Sequence, residues 1–528
     1  MRRRSPQPDA GQSAAFTSGP PANRPARSAP RGSGRASRYD AAQTTDENKN
    51  HWAAADSLSP NAANSPHVRH RLRTRARYEC ENNGYAGGLV RGRAEATVGV
   101  CPRLQLTLPE TYSANDADFQ RTVDVRLEPD EARALARAVE GRWNEWADAT
   151  SLADKLRLMD KSETREGEVF GAAFTNPRLD PAGVQLDLKP IEADQCATPE
   201  LDPTDRDAVD GIRFDRHGNP TEYHFLKRHP GDALSWTAHW EYDRYPAARV
   251  FHLFDPDRCG QARGVSALTP GLPLYAILRR YTLASLGAAE LAAMIAGVIE
   301  NPNAPIGDED ADAPEFEAMD AVPFARNALL TLAGGQTAKA FKSEQPSPSY
   351  REFKGEVLTE AGRGVGAARN TATGSSAEYN FSSGRLDKLP EQTGYRIRRD
   401  RWRRLLLDRL FRMWLAEAVL IPGYLPANLP APAAFRWKWR WDGFGSIDPV
   451  KDATANEIKL RSGETTLEHV AGESGEDWEE VIEQQAREMR LRLKHGLPAN
   501  PAQPTAAPAA TKKPAPDAEP AEEGTARD

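Results

Sequence analysis

Few residues of this 528-residue chain have the types and spacing that chemistry needs. His67, His70 and Cys80 carry the donors zinc prefers, but no fourth ligand stands at metal spacing and five arginines crowd the interval. They read as a solvated surface. His252, Asp255 and Ser266 supply the parts of a nucleophilic triad, yet their order leaves the base without an orienting partner, so packing is the reading they support. Gly362, Gly364 and Gly366 form GxGxG after a helical pattern, where GxGxxG after a strand would be needed to cradle phosphate. Backbone bending or close packing explains them better. There is no GxxxxGK[ST] loop, no HExxH and no GxSxG. The sequence therefore predicts no catalysis, no cofactor and no metal.

Two segments could bind nucleic acid instead. Residues 396–412 are strongly basic, and residues 435–441 alternate Phe435, Trp437, Trp439 and Trp441 with Arg436, Lys438 and Arg440. Interleaved aromatic and basic residues can stack bases and clamp phosphates. A half-buried strand has the same alternation, with its tryptophans facing a core. The core reading is favoured for the strand, and a solvated or subunit-facing surface for the helix. A nucleic-acid-binding module built on 396–412 and 435–441 remains the alternative function.

A net charge of −7 argues against a surface coated for tight nucleic-acid binding. The charge is uneven: 67–77 is basic like 396–412, and 308–320 and 473–483 are acidic. Such blocks are expected on solvated faces or against opposite blocks of a neighbour. Residues 1–38 and 499–528 are poor in large apolar residues and are expected to be disordered tails. The arginines at the start are not followed by an apolar run, so no signal peptide is expected. Cys80, Cys101, Cys196 and Cys259 form no CxxC pair, which suggests a reducing compartment.

The elements that would position these residues can be read from periodicity. Strands are expected at 100–110 and 122–127, and helices from Pro129 and at 151–170. The Pro129 helix places Leu135, Val139, Trp143 and Trp146 on one stripe. A hairpin is expected at 211–226, a strand near 246–254 and another at 328–333. Helices follow from 350 to about 366 and over 391–420, the latter with Trp402, Leu406, Leu410, Met413 and Trp414 on one face. Residues 371–384 read as a polar loop, and acidic helices are expected at 449–461 and 475–495. Tyr39 and Trp52 are expected to anchor an N-terminal arm.

Arg263–Glu300 is a long helix signal with little chemistry in it. From Ala284 to Gly297, nine of fourteen residues are Gly, Ala or Ser, and Glu290 is the one charge. Such a helix fills no core by itself, and gains stability only where other helices approach its backbone closely. Glu290 also makes it a poor membrane span.

Several segments, in order, resemble the lambda-like family of tailed-phage portal proteins. They are TyrAspAlaAla (39–42) with Trp52, ArgTyrGluCysGluAsnAsnGlyTyrAla (77–86) and the hairpin at 210–223. HxFxP followed by GQxRGxS (252–266) is the most specific block. IleAspProValLysAspAla (447–453), the 465–481 segment and GlyLeuPro (496–498) complete the set. The chain departs from the pattern at 300–345, which is short and acidic, and around Tyr379–Arg385.

The resemblance implies an α+β portal fold with a helical stem, a small α/β clip, a mixed wing and a helical C-terminal crown. On that pattern 39–264 is arm and wing, 265–297 a stem helix, 298–346 clip, second stem segment and tunnel loop, and 347–498 spine helix, wing and crown. It further implies a ring, usually of twelve copies, at one capsid vertex of a virion assembled in the bacterial host cytoplasm. Double-stranded DNA would pass through the ring during packaging and ejection. The implied partners are the terminase large subunit, a head-tail connector protein and the major capsid or scaffold protein, with no membrane. Lys339 and Lys342 would lie near DNA, and Ala284, Ala288 and Ala292 would pack between subunits.

Overall fold

A computed structural model describes residues 48–109, 111–116, 121–198, 207–232, 241–294, 297–300, 337–340, 348–377, 379–445 and 448–499, with residues 42 and 46. The chain divides into Met1–Leu58 and Ser59–Asp528. In the first unit Trp52, expected as an anchor, is 53% exposed and meets only the His51 ring edge-on at 5.8 Å among the described residues. Tyr39, the tail expectations for 1–38 and 500–528, and the strand at 328–333 lie outside the described residues.

The second unit is α+β, with helices packed around several small antiparallel sheets. Its largest core forms where Pro129–Ala149 buries Val139, Trp143 and Trp146 against Leu406, Leu410, Phe411 and Trp414. Trp143 meets Phe411, Trp414 and Trp439 edge-on at 5.4–5.5 Å. Such pairing of ring edge to ring face adds to the burial of apolar area. Both helical stripes are placed as their 3.6-residue period requires. The tryptophan strand Arg436–Arg440 pairs antiparallel with Arg103–Thr107, setting Trp439 opposite Leu104 and Trp437 opposite Leu106.

A three-stranded sheet places Glu168–Thr175 between Val250–Phe254 and Leu186–Ile191. The expected hairpin is present as Ile212–Phe214 and Pro220–Leu226 inside a four-stranded sheet. Its turn is held by the Asp215 carboxylate, which accepts the N–H groups of His217 and Asn219 at 2.8 Å. This is the turn stabilisation that Asp side chains provide.

Two expectations change in the second half. The long signal at 263–300 is helical only over Leu272–Met294, and Gly297–Glu300 is a strand paired with Thr337–Ala340. The helix expected from 391 begins at Phe381, after a short helix at Arg369–Thr373 within the expected loop. Asn380 caps it by accepting the Ser383 N–H at 2.8 Å. Pro390 sits inside this helix, although an interior proline costs about 3 kcal/mol. Neighbouring side chains hold the segment: Lys388 donates to Glu391 at 2.8 Å, and Tyr395 donates to the same carboxylate at 3.0 Å.

Candidate functional site

The basic block at 67–77 is folded inward, contrary to the solvated face expected for it. Pro66–Asn82 buries Arg69 and Arg73 together with Ala76, and half-buries Arg77. Spacing of four residues puts the three arginines on one helical face. His67 and His70 lie on the exposed side. Cys80 is thirteen residues beyond His67 on the same helix, roughly 20 Å at 1.5 Å per residue, so the two cannot share a metal.

The arginines meet a comb of acids. Arg73 pairs with Glu168, and with Asp194 at 3.0 Å. Arg77 pairs with Asp194 at 2.5 Å and Glu166 at 3.0 Å, while Arg69 pairs with Asp210. Arg263, from the GQxRGxS block, completes the set at 2.7 Å from Glu168 and 3.1 Å from Asp210. Four guanidiniums thus face four carboxylates, a balance that makes burial of the group possible.

Glu168 is the centre, with no solvent exposure. Besides Arg73 and Arg263 it faces His252 Nε2 at 3.0 Å and accepts the Gly264 N–H at 2.9 Å. Burial pushes its carboxyl up, but the charges of Arg263 and Arg73 and the hydrogen bond from His252 hold it well below the usual range. Burial drives the His252 imidazole down, against the pull of Glu168. Its ring is stacked between Phe170 and Phe254, with centroids at 4.3 and 4.5 Å.

Two glycines let the GQxRGxS block close on this centre. A Cβ on Gly264 would meet the Gly167 carbonyl, and one on Gly167 would strike the Val265 and Ser266 backbone. Gly167 also holds φ +91°, a region glycine enters freely. The candidate triad is dispersed among packing roles. His252 is on Glu168, Asp255 pairs with Arg401 at 2.5 Å, and Ser266 Oγ accepts the Leu268 N–H at 3.2 Å. The glycines at 362 and 364 are packing positions too, since a Cβ on Gly362 would collide with Ala372 and one on Gly364 would press Pro270 at 3.2 Å.

The second basic block meets the same acidic comb from the other side. Arg398 lies 2.7 Å from Asp160 and 3.0 Å from Glu163, both on Leu152–Glu166. Arg401 and the Trp402 Nε1–H also reach Glu163, at 2.6 and 2.9 Å. Arg399 is buried and donates to the Thr97 and Ala96 carbonyls at 2.9 Å, capping the end of Gly84–Val98. The tryptophans are equally committed. Trp437 and Trp439 both donate to Asp408 Oδ1 at 2.8 Å. A π-helical turn at Arg403–Leu407 immediately precedes that aspartate. These contacts remove the side chains on which the nucleic-acid module depended.

What stays open is the helix the ionic anchor leads into. Leu272, Tyr275 and Leu278 are buried beside Leu358 and Ala361 of Pro348–Arg363. Beyond them contact narrows to one side, where Tyr350 donates to Thr282 Oγ1 at 3.1 Å. Ile277, Leu283 and Leu286 are about 60% exposed. Ala284 and Ala288 are also exposed, and Ala292 continues the helix. Lys339 stands opposite Val298 in the strand pair after the helix, and Lys342 lies outside the described residues. No helix among the described residues is long and apolar enough to cross a membrane.

Sequence reasoning missed Glu168, Asp194 and Asp210. Their signal was the spacing of Arg69, Arg73 and Arg77, which places a charged stripe where Leu72, Ala76 and Cys80 place an apolar one.

Comparison with known proteins gives a consistent result. The family model for phage portal protein, lambda family, matches residues 45–399. A probable portal protein of Halomonas phage phiHAP-1 is 26% identical over 454 residues, covering 83% of this chain and 84% of that protein. Portal protein B of Escherichia phage lambda is 22% identical over 457 residues, covering 79% and 83%. Among solved structures, a chain in the virion of a native gene transfer agent particle aligns over 80% of this chain and 93% of its own, with 15% identity and a TM-score of 0.39.

Proposed function

The chain belongs to the lambda family of phage portal proteins, and from that premise we propose that it assembles as a ring of identical subunits at one capsid vertex. Double-stranded DNA passes through the ring in packaging and ejection. The terminase large subunit, a head-tail connector and the capsid or scaffold protein dock on its outer faces. The ring assembles in the host cytoplasm, remains in the virion and acts as a conduit without catalysis.

The observation that carries this reading is the open Leu272–Met294 helix. An apolar helix covered along one side only needs a second covering surface, and its small residues suit close approach by copies of itself. Commitment of the basic blocks inside the subunit also fits a conduit, because each strong phosphate contact is affinity that translocation must break. Lys339 is the residue we place nearest the passing DNA, with Lys342 beyond it.

Light scattering and negative-stain imaging of the purified protein test the proposal. Rings are expected, and a chain that stays monomeric at high concentration overturns it. Ala288→Trp, at an exposed position, should abolish rings while leaving the subunit's thermal unfolding unchanged. Normal rings from that variant would remove Leu272–Met294 from the subunit contact.

A further inference from the structure

The last described helix, Trp478–Lys494, is tied down at its beginning only. Arg133 holds Asp477 at 2.6 Å and Glu479 at 2.7 Å, and Arg137 holds Glu483 at 2.6 Å. From Gln485 to Lys494, about 15 Å of helix, its side-chain hydrogen bonds stay within 484–498 among the described residues. Ile482, Ala486, Met489 and Leu493 form one stripe at helical spacing, and Met489 and Leu493 are about half exposed. The helix is also split in charge. Glu479, Glu480 and Glu483 precede Arg487, Arg490, Arg492 and Lys494, and none of these four cations has a carboxylate partner among the described residues.

A complementary surface lies elsewhere on the same chain. Between Pro449–Ser462 and Leu467–Glu473 runs a groove of about 380 Å³, lined by Asn456, Glu464, Thr465, Val470 and Glu473 with Lys459 and His469. No residue of Trp478–Lys494 lines it. Ile458 and Leu467 stand exposed on the two helices that form it. Thr465 Oγ1 is buried there without a hydrogen-bond partner. Glu464 has no cationic partner among the described residues, and Glu473 has only His469 at 3.8 Å.

We propose that the free end of Trp478–Lys494 docks into this groove on a second copy of the chain. Met489 and Leu493 enter between the two helices, and Arg487 and Arg490 face Glu464 and Glu473. The two surfaces differ, so each subunit gives one and receives one, the head-to-tail arrangement that closes rings. This rests on the ring reading above and adds a second, separate contact to it.

Cysteine cross-linking tests it. In a Cys259→Ser background, which removes the exposed native thiol, Leu493→Cys and Glu464→Cys together should give a ladder of covalent oligomers on oxidation. Either substitution alone should give none, and a mixture of the two single variants should stop at dimers. Arg487→Glu with Arg490→Glu should abolish the ladder, and Glu464→Arg with Glu473→Arg should restore assembly of the charge-reversed chain. Rings seen by imaging without any ladder, or with a cross-link confined to one chain, would overturn the docking and leave the ring standing. A monomeric chain would sink both.

Discussion

Arg263 and Glu168 form an ion pair wholly inside the protein, with a guanidinium nitrogen 2.7 Å from a carboxylate that no solvent reaches. The pair joins the GQxRGxS block to the strand behind Leu152–Glu166, and through Arg73 to the first long helix. The body of the subunit is thereby fixed to the segment from which Leu272–Met294 starts.

Removing one partner should therefore be severe. Glu168→Gln leaves Arg73 and Arg263 buried without their shared counter-charge, and such losses cost about 3–5 kcal/mol. Arg263→Met should fall in the same range, because Glu168 keeps Arg73 but loses its closest cation. Urea unfolding of the two variants checks this, and a loss below about 1 kcal/mol in both would contradict the buried-pair reading.

Acid should weaken the fold in two stages. His252 is held below its ordinary value, so the unfolded chain binds its proton first, and its contribution is lost as pH falls below about 6.5. Glu168 and Asp194 are also depressed, so their contribution is complete above about 4.5 and is lost as pH falls through their folded values. Asp160 is raised by burial despite Arg398 and works in the opposite sense. Thermal melts of His252→Gln should show a shallower loss of stability between about pH 6.5 and 5 than the parent chain.

Two adjacent glycines should respond oppositely to alanine. A Cβ on Gly88 would meet nothing, so Gly88→Ala in Gly84–Val98 should stabilise by up to about 1 kcal/mol. On Gly87 the same atom would lie 2.5 Å from the Cys80 carbonyl oxygen, and Gly87→Ala should destabilise by about 1–3 kcal/mol. The midpoints of denaturant unfolding separate the two signs.

Asp408→Ala should leave the Trp437 and Trp439 indoles without their acceptor and release Arg403, which holds Asp408 Oδ2 at 2.8 Å. A loss of about 2–4 kcal/mol and a shift in tryptophan fluorescence are expected. If the strand bound nucleic acid instead, stability would hardly change and a salt-dependent affinity would fall.

Much of this protein is determined by short-range sequence. The stripes Val139–Trp143 and Trp402–Leu406–Leu410–Trp414, the hairpin around Asp215, and the inward face of Trp439 follow from period and turn chemistry, because each needs neighbours a few residues away. The ordered motifs, the 252–266 block above all, suffice for the family. The destination of the arginines does not follow from the sequence. Arg73 meets an acid 95 positions away and Arg398 one 238 positions away. A charged side chain is stable inside only when its counter-charge arrives with it. Periodicity carries no record of that arrival, so two basic blocks that read as surface became the ionic interior, and only the tertiary structure could decide it.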